Sequence, residues 1–67
     1  MQKLKGLEIG NALENGDVIY VKEPNFTEKR LYRLNNNNLE YSDDNLIWNT
    51  SKLSIEDLEK YICLKIR

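Results

Sequence analysis

Apolar side chains recur at two different spacings along the chain, and these spacings separate helices from strands. Between residues 7 and 15 they fall at the i, i+3, i+4 intervals of one helix face, and Gly16 follows as a residue type that ends helices. The segment VIYVKE (residues 18–23) is rich in β-branched and aromatic side chains, and Pro24 comes directly after it. The pattern therefore predicts a short N-terminal helix followed by a strand.

The middle of the chain alternates between apolar and polar positions in the manner of a β-meander. RLYRL (30–34) and LEY (39–41) both alternate, and the four asparagines 35–38 stand between them. Asparagine tolerates left-handed backbone and hydrogen-bonds to nearby peptide groups, so this run is predicted to form the bend of a hairpin. SDDN (42–45) repeats the turn chemistry, and LIW (46–48) is predicted to form a further short strand.

A second helix and a final strand are predicted near the C-terminus. Ser54 is a favoured N-cap residue, and the helix that it begins is expected to run to residue 60 or 61. After the helix, the apolar residues Ile62, Leu64 and Ile66 alternate with Cys63, Lys65 and Arg67. This alternation predicts a half-buried strand whose apolar side faces the core and whose Cys63 side faces outward.

The predicted elements follow the order α-β-β-β-β-α-β, which indicates a small α+β fold. We expect one domain over residues 1–67, built on an antiparallel and strongly curved, barrel-like β-meander. A short helix precedes the meander, and a second helix leads into a closing C-terminal strand. Pairing of that last strand with the first one would close the sheet and hide an edge.

Composition makes a partner attractive for so short a chain. A domain of 67 residues buries only about 60% of the surface that its unfolded chain exposes. One cysteine forms no intramolecular disulfide, and without histidine the chain lacks the ligands of a structural zinc site. Association with another protein or with a second copy is therefore expected to add to its stability.

The balance of charges and apolar segments predicts a cytoplasmic protein. The formal net charge is −1, with acidic and basic residues interspersed, so neither a basic nucleic-acid footprint nor an acidic tail is present. The N-terminal segment lacks the apolar region of a signal peptide, and no apolar run approaches the ~20 residues of a membrane span. The abundance of Asn, Lys and Ile is typical of AT-rich genomes, as in low-GC bacteria and their phages.

Residues suited to catalysis or metal binding are few. Histidine is absent, and the serines have no evident base partner, so no catalytic residue and no cofactor are predicted. Glu40, Asp43 and Asp44 are the nearest approach to a carboxylate site, but their spacing favours solvated turn residues over a metal site. Cys63 is interpreted as a small packed residue rather than a reactive thiol, because cysteine is usually buried.

Aromatic and arginine side chains around the meander are the candidate contacts for a partner. Such side chains supply most of the energy of protein interfaces, and the predicted set is Tyr32, Arg33, Tyr41 and Trp48. Basic residues interleaved with aromatic ones are also typical of single-stranded nucleic-acid binders. Neighbouring glutamates and the acidic pI make that reading the weaker one.

Two stretches of the chain together resemble a known family. LEIGNALENGDVIYVK (7–22) has the form of a short helix with an Ala-Leu pair, a glycine and a strand containing a basic residue. Trp48 precedes a short linker to SIEDL (54–58), which has the form S-x-x-D-L at the start of a helix, and a last strand follows. This arrangement resembles small phage and prophage proteins, including the Thoeris anti-defence family of the second type, and it covers most of the chain.

The resemblance implies a phage-encoded accessory protein that acts by binding, in the cytoplasm of a host cell. We therefore predict a non-enzymatic module of phage or mobile-element type that inhibits or modulates a host protein, in the manner of anti-defence and anti-CRISPR proteins. Two alternatives stay open. One is an oligomer that sequesters a small nucleotide-like ligand, which is the activity of that family, and the other is a weak single-stranded nucleic-acid binder.

Overall fold

Two helices and six strands make up residues 2–66, the part of the chain that the computed structural model describes. In chain order they are β1 (Gln2–Lys5), α1 (Leu7–Glu14), β2 (Ile19–Val21), β3 (Leu31–Asn35), β4 (Asn38–Ser42), β5 (Asn49–Thr50), α2 (Ile55–Leu58) and β6 (Ile62–Lys65). The predicted α+β class is confirmed. Arg67, which was predicted to continue the last strand, lies outside the described residues.

The strands form one antiparallel sheet in the order β1-β6-β2-β3-β4-β5, and this sheet is open rather than closed. The last strand pairs with the first predicted strand, here β2, as expected. Its other side is occupied by β1, so the expected barrel-like closure is wrong. β1 escaped prediction because its sequence QKLK contains a single apolar residue, which is too little to reveal a period of two.

Both helices pack against the same face of the sheet, which we call the helix face. The strand residues of the hydrophobic core are Leu4, Ile19, Val21, Tyr32, Leu39 and Cys63, and the strand register places them on one side. Ile9 and Leu13 from α1 and Leu58 from α2 belong to the same cluster and are almost completely buried. The fold therefore has two layers, with its core between the helices and the sheet.

Tyr32 lies at the centre of this core. Its ring is completely buried and meets Phe26 edge to face, with 6.5 Å between the ring centroids. Its hydroxyl donates a hydrogen bond to the carbonyl oxygen of Glu28 at 3.2 Å, which provides a buried polar group with the partner that it needs. Burial is the main reason that the pKa of this phenol lies above its ordinary value.

α1 ends just before Gly16, the helix-ending glycine that its sequence predicts. The amide of Gly16 donates to the carbonyl of Leu13 at 3.0 Å and that of Asp17 to the carbonyl of Ala12 at 3.0 Å, which together form a Schellman motif. This motif requires the left-handed backbone that Gly16 adopts, with φ of 89°. Gly10 lies where α1 approaches α2, because a Cβ there would lie 3.3 Å from Ile55 Cγ2.

Ser54 caps α2 as predicted. The Ser54 and Asp57 side chains each accept a hydrogen bond from the other residue's amide, at 3.3 and 2.8 Å, which completes a capping box. Hydrogen bonds that the Ser54 amide and then the Ser54 hydroxyl donate to its carboxylate lower the pKa of Asp57. The helix ends at Leu58 rather than at residue 60 or 61, because the chain turns there to enter β6.

The asparagine run forms the predicted hairpin bend between β3 and β4. Asn35 and Asn38 are the last paired residues, so only two residues connect the strands. Asn36 and Asn37 have φ of 53° and 66°, the left-handed values that a two-residue type I′ turn requires at both positions. The opening helix is likewise confirmed, since α1 ends one residue before the predicted limit.

Two expectations about the strands are wrong. Residues 46–48 form a loop, and the short strand that follows begins only at Asn49. In β6 the alternation has the opposite orientation: Cys63 is completely buried opposite Leu4 and Val21, whereas Ile62 and Leu64 lie on the other face. Alternation separates the two sides of a strand, but only its neighbours decide which side meets the core.

The type I′ turn predicts opposite effects for two substitutions of Asn37. Asn37→Gly is expected to keep or raise the free energy of unfolding, whereas Asn37→Ala should lower it by about 1 kcal/mol, because a Cβ disfavours the left-handed backbone. The midpoint of urea denaturation measures both. Asn35→Ala, in the adjoining strand, is the control and should change the free energy by less than about 0.5 kcal/mol. Equal losses for Ala at both positions would contradict the turn assignment.

The burial of Cys63 predicts an unreactive thiol in the folded protein. Desolvation raises the pKa of this thiol to about 11, so the reactive thiolate is scarce at pH 8. A chromogenic disulfide reagent should therefore label Cys63 rapidly in denaturant. In native buffer, labelling should be no faster than the opening of the fold around the thiol. Immediate labelling of the native protein would show that the β6 orientation is reversed.

Candidate interaction surface

The side of the sheet opposite the helices, which we call the open face, carries a row of four side chains, of which three are half-buried and the fourth, Ser42, is completely buried. Register places Leu64 beside Tyr20, Tyr20 beside Leu31, and Leu31 beside Ser42, across four neighbouring strands. None of these four residues belongs to the hydrophobic core cluster. The row therefore places large apolar side chains on a face that neither helix covers.

β6 contributes most of the apolar character of this face. Ile62 lies next to Leu64 on the same side of the strand, and 37% of its surface is exposed. Ile66 follows on this side, where its amide donates to the carbonyl of Val18 at 2.7 Å. The three apolar residues that the sequence analysis placed in the core thus lie on the open face, which is where an interaction surface would need them.

Arg33 and Trp48 form a stacked pair at the other end of the open face. The guanidinium carbon of Arg33 lies 4.2 Å from the centroid of the Trp48 ring, within the range of a cation–π interaction. The Arg33 Nε also contacts Glu40 Oε1 at 3.0 Å, across the β3–β4 pair. Arg33 thus links the Trp48 ring to Glu40 on the neighbouring strand.

A structured loop, residues 43–47, adjoins the same row at Ser42. The Ser42 hydroxyl is completely buried and donates to Asp44 Oδ1 at 3.0 Å. The same Asp44 oxygen accepts hydrogen bonds from the amides of Leu46 at 2.9 Å and Ile47 at 3.1 Å. The loop consequently holds its backbone in place while Leu46 and Ile47 remain 82% and 69% exposed. Two large apolar side chains on an ordered loop are costly in water and favourable in an interface.

Asp44 therefore acts as a turn residue, as its sequence context predicts. Hydrogen bonds from the amides of Ile47 and Leu46, in that order, lower the pKa of its carboxyl group, with a further contribution from Ser42. Asp43 instead pairs with Arg30, at 3.3 Å. Within residues 2–66, no cluster of three or more His, Cys, Asp and Glu side chains is placed to hold a metal ion.

The four residues predicted as partner contacts do not lie together. Arg33 and Trp48 meet on the open face. Tyr41 lies on the helix face, where it packs against the core and Arg30 covers its ring at 4.2 Å. Tyr32 is in the core and presents no surface to a partner. The alternation of β3 separates Tyr32 from Arg33, so a list of aromatic and arginine residues cannot distinguish them without the strand orientation.

The residues that prediction missed are Tyr20, Leu31, Leu46, Ile47, Ile62 and Leu64. The signal for Ile62 and Leu64 was visible in the sequence, as the apolar side of the last strand, but it was assigned to the core. The signal for Leu46 and Ile47 was hidden because an apolar pair after a turn is equally typical of a strand. The hydrogen bonds of Asp44 show that this apolar pair belongs to a loop.

A separate cleft lies between α1, the asparagine turn and α2. It has a volume of about 600 Å³, and its lining residues are Leu13, Glu14, Gly16, Leu34, Asn36, Asn37 and Ile55. Among these described lining residues, Glu14 is the one carboxylate and none is cationic. A phosphate group would find no charge partner there, so this cleft does not favour a nucleotide-like ligand.

Comparison with known proteins identifies no relative for the chain. The sequence matches no protein-family model, and neither curated proteins nor solved structures give a significant match. The resemblance to phage accessory proteins therefore stays a prediction. Across residues 2–66, neither helix has the length and apolar character needed to cross a membrane.

The hydrogen bonds of Asp44 predict a pH-dependent loop. Because its pKa in the folded protein is lowered, the carboxylate stabilises the loop fully above the ordinary pKa of about 3.9. This stabilisation is lost as the pH falls through the lowered value. The amide NMR signals of Leu46 and Ile47 should follow that titration, and Asp44→Asn should remove it. A midpoint at or above the ordinary value would contradict the hydrogen-bonding scheme.

Proposed function

We propose that this protein is a non-enzymatic binding module of phage or mobile-element type, which inhibits or modulates a host protein through the open face of its sheet. One observation carries the binding role: the apolar side of β6, with Ile62 and Leu64, lies on the face that neither helix covers. Contiguous apolar surface of this kind is typical of protein–protein interaction sites.

The chemistry of the open face favours binding over catalysis. Its side chains are mainly aliphatic, aromatic and cationic, and Trp48, Tyr20 and Arg33 are of the types that dominate interface energies. The loop adds Leu46 and Ile47, whose backbone amides are held by Asp44 before any partner arrives. Preorganisation of this kind reduces the entropy that association costs.

The phage origin and the host target are supported by the sequence resemblance and by the small size of the chain. A domain of 67 residues with a half-covered sheet gains stability from any partner that binds only its folded form. We therefore expect the partner to raise the melting temperature of this protein as well as to be inhibited or modulated by it.

The open-face assignment is tested with two exposed apolar residues on opposite layers. The chain is used to capture proteins from lysates of low-GC bacteria, and a captured protein is then purified and its Kd measured. Ile62→Gln should weaken binding by about fivefold or more, because it removes apolar contact from the interface. Leu7→Gln, on α1 and 76% exposed, should change the Kd by less than about twofold.

Thermal unfolding of both variants provides the control for folding. If both variants weaken binding equally, the open face is not the contact surface. If no bacterial lysate yields a protein that binds stoichiometrically and the chain elutes as a monomer, the proposed function is wrong.

A further inference from the structure

We infer that the open face recognises an acidic partner, a protein surface whose apolar centre is bordered by carboxylates. This inference rests on the proposed binding role of that face. The fold separates charges onto its two layers, although the net charge of the whole chain is only −1.

Cationic side chains surround the apolar row of the open face. Register places Lys3 beside Leu64 and Lys5 beside Ile62 on the edge strand β1. Lys22 lies on the other side of Ile62, where its amide donates to the Ile62 carbonyl at 2.8 Å. All three lysines are exposed, and Arg33 adds a fourth cation farther along the face.

The open face has little negative charge to neutralise these cations. Glu40 is the one carboxylate at the paired strand positions of this face within residues 2–66, and it already contacts Arg33 at 3.0 Å. No ion pair involves Lys3, Lys5 or Lys22 in that part of the chain, whereas Lys65 on the helix face pairs with Asp17 at 3.5 Å. Three positive charges therefore remain available to a partner.

The helices carry the opposite charge. The charged residues of α1 and α2 are Glu8, Glu14, Glu56 and Asp57, and neither helix contains a lysine or an arginine. The molecule is consequently polar across its two layers. A partner with carboxylates is attracted to the open face and repelled by the helix layer, which orients the encounter before any apolar contact forms.

Charge also disfavours a second copy of the chain bound face to face. An isologous dimer would bring two sets of Lys3, Lys5 and Lys22 to one interface, where these six lysines outnumber the two Asp44 carboxylates of the adjoining loops. Like charges brought together in this way oppose association.

A nucleic acid fits this face less well than an acidic protein does. Bases bind single-strand platforms by stacking on exposed aromatic rings, but Arg33 already stacks on the Trp48 ring. Tyr20 is the one aromatic ring in the row, and its neighbours Leu64 and Leu31 are aliphatic, so successive bases would not find successive rings to stack on. Carboxylates around an apolar core therefore match both the shape and the charge of the face.

Defined polymers test this inference without a known partner. The isotope-labelled chain is titrated at low salt with a random glutamate–tyrosine copolymer, and its amide NMR spectrum is recorded. Chemical-shift changes should concentrate on Tyr20, Leu31, Ile62 and Leu64. The double variant Lys3→Glu/Lys22→Glu should weaken binding roughly tenfold, because it replaces two attractions by repulsions.

The matched control reverses the same amount of charge at two exposed lysines that flank α2. Lys52→Glu/Lys60→Glu, with one residue before α2 and one after it, should change the Kd by less than about twofold. Raised salt should weaken the wild-type complex, since exposed charges are screened. Shift changes on the helix layer, or equal losses in both double variants, would overturn the inference.

Two further outcomes also overturn it. Tighter binding of oligothymidylate than of the copolymer would make the occupant a nucleic acid. A concentration-dependent increase in mass by sedimentation that Lys3→Glu/Lys22→Glu abolishes would show that the open face binds the acidic helix layer of another copy.

The same variants separate this inference from the proposed function when a purified host partner is used. Loss of binding in Ile62→Gln with no loss in Lys3→Glu/Lys22→Glu would retain the open face as the site and refute an acidic partner. No loss in either variant would refute both.

Discussion

The structure depends on a mismatch between the width of its sheet and the length of its helices. Six strands spaced by about 4.8 Å span about 24 Å, whereas α1, with eight residues, is about 12 Å long and α2 is a single turn. Two such helices can build a core on one face, but they leave nothing to cover the other. The placement of Ile62, Leu64, Tyr20 and Leu31 in contact with solvent follows from this shortage.

Local signals in the sequence predicted the turns and helix ends. Contacts between distant residues determine the pairing of β1 and the orientation of β6. Gly16, Ser54 and the asparagine run act through hydrogen bonds within a few residues, so each could be interpreted in isolation. The existence of β1 depends on a partner strand about 60 residues away in the chain, and nothing in its own four residues reveals that pairing. The orientation of β6 likewise depends on Leu4 and Val21 beside Cys63.

The candidate site was predicted in part for the same reason. Residue type alone identified Arg33 and Trp48, which the structure does bring together. It also selected Tyr32, because an aromatic residue next to a charged one in a strand has an even chance of facing either side. The apolar loop was missed because its order arises from a buried serine and one carboxylate oxygen, and these contacts have no periodic signature.

Along each strand, residues that form the core alternate with residues that face outward. On β2 and β6, Ile19, Val21 and Cys63 hold the core, while their immediate neighbours Tyr20, Ile62 and Leu64 face outward. The outward residues can therefore change, and with them the chemistry of the open face, while the packing of the core stays intact. The same property makes the fold a scaffold for library design, in which every second codon of a strand is randomised and the remainder is left alone.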